Sequence, residues 1–195
     1  SGSKRLHNRR MKDLIREELR VWAVDALSTV HPQFSGMPAC PYASKAIVSD
    51  KVDIESGFGW GYSNIQRTSR NFPKDKSIVI HYELSPSMTA KEMHEDLDRL
   101  NSEKKFSRRN LWFIGFHPDD PDPEFIDDEE EFTPLVDEPY ALIFIQRLTE
   151  LDDASRQLEA KRYYLRAHPE EIEHLLKRRL AREEYDNGNG TQESN

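Results

Sequence analysis

His81 and Glu83, in "HYE", and His117 and Asp119, in "FHPDD", are the residues whose types and spacing could do chemistry. Residues two apart on a strand project from the same face. His81 and Glu83 would therefore form half a metal site, and His117 or Asp119 would complete a facial triad around Fe, Zn or Mn. The ordinary structural alternative is a polar pair on the solvent side of an apolar strand. His117 with Asp119 is also the usual base and its carboxylate partner, since imidazole titrates near neutrality. Against this stands a strand-ending His-Pro turn capped by Asp119.

Cys40 lies between Pro38 and Pro41. As a nucleophile it needs a histidine or a helix N-terminus to lower its pKa. Otherwise it packs as a small hydrophobe. In "DDPDPE", Asp120, Asp122 and Glu124 alternate and could face a hard cation, but the prolines stiffen the segment and a solvated loop is the simpler reading. "GFGWGY" resembles a phosphate loop without the Lys-Ser/Thr that completes one.

The elements that position these residues follow from periodicity. Apolar residues at Ile15, Leu19, Trp22, Ala26 and Val30 predict an amphipathic helix over 11–30. "AIVSDKVDIE" reads as an exposed strand, and "NIQRTSRNF" as a short helix. "SIVIHYEL" is a β-branched strand. Thr89 and Glu92 form a capping box that starts the next helix, with Met88 and Met93 as its staple. "LWFIGF" and "YALIFIQ" are near-continuous apolar runs, as in central strands. Thr149 caps a further helix, and Pro169 opens the last one at its first position. The basic "LLKRRLAR" of that helix offers a surface for a partner.

The order of elements predicts an α+β fold, ferredoxin-like or a related mixed or antiparallel sheet, with helices packed on one face. One domain of 195 residues is expected. Residues 1–10 read as a tag remnant and basic tail, 11–168 as the domain, 169–185 as a C-terminal helix and 186–195 as a disordered tail. Residues 119–138 hold eleven Asp or Glu and no Lys or Arg; without those charges a net −8 becomes +3. An acidic loop thus sits on a mildly basic domain, disfavouring nucleic acid near the loop and offering a protein partner a handle. A mean hydropathy of −0.84 fits solvated segments. A single cysteine excludes an intramolecular disulfide, and neither a secretory signal nor a membrane-length apolar run is seen. A cytoplasmic location without membrane contact is expected.

Three stretches in order, "ACPYASKA", "FHPDD" and "EPYALIFIQRL", resemble a bacterial domain family of unknown function. Its members show Cys-Pro-aromatic-Ala, Phe-His-Pro-Asp and Pro-Tyr motifs, the last leading to an Arg. The resemblance covers roughly residues 11 to 160 and points to Cys40, Pro41, His117, Pro118, Asp119, Pro139, Tyr140 and Arg147. Together with the strand ends, it implies a small enzyme with Cys40 as nucleophile or ligand and His117 as base. Asp119 would orient the histidine, and Arg147 would bind an anionic small-molecule substrate, with Tyr42 and Tyr140 lining its site. The alternative is a binding or regulatory module working through the acidic loop or the C-terminal helix.

Overall fold

The computed structural model describes residues 2–25, 30–38, 40–57, 62–121 and 134–190. Its centre is a four-stranded sheet of β3 (Val52–Ser56), β4 (Ile78–Leu84), β5 (Leu111–Phe116) and β6 (Tyr140–Arg147), in the order β3-β4-β6-β5. β3 and β4 are parallel, and β6 runs antiparallel to both β4 and β5. Helix α3 (Tyr62–Arg70) links β3 to β4; α4 (Ala90–Ser102) and α5 (Lys104–Ser107) link β4 to β5. The sheet is therefore mixed, and the fold is α+β. The carboxyl ends of β3, β4 and β5 share one edge of it.

Helices cover both faces, which corrects the expectation of one. On one face Ile78, Ile80 and Tyr82 of β4 meet Ile15 and Leu19 of α1 (Gly2–Asp25) and Ala43 and Ala46 of α2 (Pro41–Val48). On the other, Ile143 and Ile145 of β6 and Phe113 of β5 meet Ile65 of α3, Met93, Leu97 and Leu100 of α4, and Phe106. The near-continuous apolar runs of β5 and β6 are what a sheet buried twice demands. Gly115 lets α4 approach β5: a Cβ there would lie 2.3 Å from Leu97 Cδ1.

Local signals are realised where they were strongest. Thr89 and Glu92 form the capping box, and Met88 and Met93 are buried. The start of α6 (Leu148–Ala160) is capped otherwise than expected: Asn110 Oδ1 accepts from the Thr149 backbone, and its Nδ2 donates to Thr149 Oγ1. Residues 46–48 belong to α2, not to a strand, because Pro41 starts a helix there. Helix α1 already begins at Gly2, within the stretch read as a tail, and α7 (Pro169–Gly190) runs past its expected end. The rest of the expected disordered tail, 191–195, lies outside the described residues, as do most of the acidic loop and "GFGWGY". A short hairpin of β1 (Val30–His31) and β2 (Met37–Pro38) leads toward α2.

Candidate active site

The residues expected to form one catalytic group stand apart. Cys40 is the N-cap of α2, beside Tyr163, Tyr164 and Arg178; burial raises its thiol pKa, against the smaller opposing pulls of the Ala43 backbone and Arg178. His117 follows β5 at the carboxyl edge, whereas Arg147 pairs with Leu111 at the other end of that strand. Six residues separate the two positions, roughly 20 Å at the strand rise.

His117 is committed to the backbone. Its Nε2 donates to the Met88 carbonyl at 2.7 Å, so Nδ1 is the bare nitrogen and accepts from the Asp119 N–H at 3.1 Å. Asp120 Oδ2 accepts from the His117 N–H, while Oδ1 pairs with His94 at 2.8 Å. The Asp119 carboxylate is largely exposed, 3.9 Å from Nδ1. With both ring nitrogens engaged by backbone groups, His117 has no free nitrogen to offer a ligand while the turn is formed. "FHPDD" is a stapled strand exit.

Arg147 directs its fork at backbone: Nε donates to the Lys76 carbonyl at 2.8 Å and Nη2 to that of Pro73 at 2.7 Å, with the guanidinium over Phe72. The structure does bring it toward Tyr42, since Glu150 lies 3.2 Å from the Tyr42 hydroxyl and 3.8 Å from Arg147 Nε. Burial, reinforced by Glu150, raises the Tyr42 pKa. Tyr140 donates its hydroxyl to the buried Glu18, which also accepts the Leu135 and Val136 N–H groups. Sequence reading missed Glu18, whose partners lie more than a hundred residues away; a carboxylate at a helical core position was its only local signal.

His81 and Glu83 do share a face of β4, the one covered by α3 and α4. Their third expected metal ligand, His117, is engaged as described, and among the described residues no group of three His, Cys, Asp or Glu is placed to hold a metal. His81 is 1% exposed. Its Nε2 lies 2.8 Å from Thr68 Oγ1 of α3, and Nδ1 has no hydrogen-bond partner. Burial lowers its pKa, against the smaller upward pull of the Glu55 carboxylate. With the ring proton on Nδ1, Nε2 would accept from the Thr68 hydroxyl. Glu83 has one buried oxygen without a partner, and burial raises its pKa.

Thr68 opens onto a cleft of about 320 Å³ between β3 and α3, lined also by Asp53, Glu55, Arg67, Asn71 and Pro73. Lys76 stands 3.8 Å from Asp53 and Lys12 3.3 Å from Glu55. The exposed Arg67 guanidinium has no ion pair among the described residues, yet its charge acts on His81. The cleft thus combines a hydroxyl in contact with a buried imidazole and a cation that has no ion pair among the described residues.

Among known proteins, no family profile, no curated sequence and no solved structure matches this chain. Among the described residues, no helix is long and apolar enough to cross a membrane.

Proposed function

We propose that the chain is a small enzyme acting on an anionic small molecule in the β3–α3 cleft. Thr68 would be its nucleophile, His81 the base and Arg67 the anchor for the substrate's anionic group. The observation that carries this reading is the 2.8 Å contact between Thr68 Oγ1, at the cleft, and Nε2 of a buried His81 whose other nitrogen is unpartnered. A hydroxyl is a weak nucleophile until a base takes its proton, and an imidazole kept neutral by burial is in the form to do so. The reading keeps the expected substrate class and moves the residues. It needs no metal, and the resemblance of the motifs supplies no reaction.

A fluorophosphonate probe with mass-spectrometric mapping tests it. Adduct at Thr68, at least tenfold reduced in Thr68→Val and His81→Leu, is expected. No adduct, or labelling indifferent to His81, would remove the nucleophile assignment.

A second reading, a binding module, is favoured by Lys4, Arg5, Arg9 and Arg10 of α1, which are exposed and have no ion pair among the described residues, rather than by the expected C-terminal helix. The α7 cations are engaged: Lys177 with Glu173, Arg178 with Tyr164, Arg179 with Glu159, and Arg182 with Asp153 and Asp186.

A further inference from the structure

Helix α1 changes character at Met11. From there on it is packed, with Met11 and Leu14 against the core that buries Ile15 and Leu19. Its cations there are paired: Lys12 with Glu55, Arg16 with Asp50, and Arg20 with Glu17. Before it, every residue from 2 to 10 is exposed, Leu6 at 71%. The groove formed by Leu6, Arg9, Arg10, Asp13 and Leu14 is lined by α1 alone. These nine residues are a rod of about 14 Å standing clear of the packed domain.

The rod is basic on several sides. It holds no acid, and Lys4, Arg5, Arg9 and Arg10 have no ion pair among the described residues. At about 100° per residue, Arg5 and Arg9 share one side, and Lys4 and Arg10 stand on its two flanks. Like charges four residues apart repel one another. Side chains that bury nothing give the rod no help from packing, on which most helical stability in proteins depends. An anionic partner that surrounds the rod on more than one side removes both costs.

Partners differ in how well they fit such a rod. A membrane-surface helix needs a broad apolar face, but Met11 and Leu14 are committed to the core and Leu6 stands alone. A stable protein interface needs roughly 800 Å² per partner around an apolar centre, which one leucine does not supply. The major groove of B-form DNA, about 12 Å wide, admits a helix and carries phosphates along both walls. The corresponding groove of duplex RNA is too deep and narrow to do so. We propose that residues 2–10 of α1 enter the major groove of duplex DNA. Lys4 and Arg10 then meet phosphates of opposite strands, and Arg5 and Arg9 face the groove floor. This inference stands apart from the β3–α3 cleft and holds whether or not Thr68 is a nucleophile.

Fluorescence anisotropy of the full chain with a fluorescein-labelled 20-base-pair DNA duplex, over a series of NaCl concentrations, tests it. The logarithm of the affinity should fall with that of salt with a slope of about −2 or steeper, since each neutralised phosphate contributes about −0.9. Lys4→Ala with Arg10→Ala should weaken binding at least tenfold at low salt and remove about 1.8 from the slope. Lys45→Ala with Lys51→Ala, two exposed cations outside the rod, should change the affinity less than twofold. A single-stranded DNA 20-mer and a duplex RNA of equal length should bind at least tenfold more weakly. No binding of the DNA duplex at low salt would overturn the proposal, as would binding indifferent to Lys4 and Arg10. Single-stranded DNA or duplex RNA bound as tightly would remove the groove. Capture by phosphatidylserine vesicles in place of the duplex would assign the rod to a membrane and overturn it equally.

Discussion

His117, just past the end of β5, and His81, within β4, are both buried histidines, and they differ in what their nitrogens touch. His117 gives one nitrogen to the Met88 carbonyl and the other to the Asp119 amide. His81 meets one side-chain hydroxyl and leaves Nδ1 without a partner. Burial therefore does not separate a structural histidine from an available one; the kind of partner does. Two backbone bonds fix a turn and occupy both nitrogens of the His117 ring. The His81 ring is held by one side-chain contact, to a residue that lines a cleft.

The largest expected effect lies on the structural side. His117→Ala strands the Met88 carbonyl and the Asp119 amide at the strand exit, and should cost about 2–4 kcal/mol in denaturant unfolding. Thr68 adduct formation should persist in whatever fraction stays folded. His81→Leu should do the reverse. It removes a buried nitrogen that has no partner, and the half-buried Thr68 hydroxyl can turn to water, so its cost should stay below about 1 kcal/mol. A loss comparable to that of His117→Ala would erase the contrast.

Acid sharpens the comparison further. Burial lowers the proton affinity of His81 in the folded chain, so below its ordinary 6.5 the unfolded chain binds the extra proton. Its contribution is present above that pH and is lost as pH falls, with a slope of at most about 1.4 kcal/mol per pH unit. In urea titrations between pH 7 and 5, His81→Leu should flatten this dependence. An unchanged slope would mean that His81 does not titrate differently on folding. The smallest effect is expected at Cys40, where burial raises the thiol pKa. Cys40→Ser should leave the Thr68 adduct unchanged, and the native thiol should react with a disulfide reagent far more slowly than the unfolded one.

What could be read from the sequence was what is local. The capping box at Thr89 and Glu92 spans four residues, and β4, β5 and β6 announce themselves through their own composition. "FHPDD" was legible as a special place, but its chemistry was not, because the Met88 carbonyl that occupies His117 lies 29 residues away. Thr68 gave no signal at all: a lone threonine in a polar helix acquires meaning only when the β3–α3–β4 crossover sets it against His81. Glu18 was hidden for the same reason, since its partners at 135, 136 and 140 arrive from the far end of the chain. Helices on both faces were not read from the sequence: the unbroken apolar runs of β5 and β6 demand them, but which helix covers the second face is decided by long-range packing of α1 and α2.

The most direct test of the central claim is a long-range ¹H–¹⁵N NMR spectrum of the histidine side chains at pH 7, with Thr68→Val beside the wild type. His117 should appear as the Nε2–H tautomer in both proteins. His81 should be neutral, protonated on Nδ1, with an Nε2 resonance that moves when the Thr68 hydroxyl is removed. A His81 that is charged at pH 7, protonated on Nε2, or blind to Thr68→Val would contradict the account.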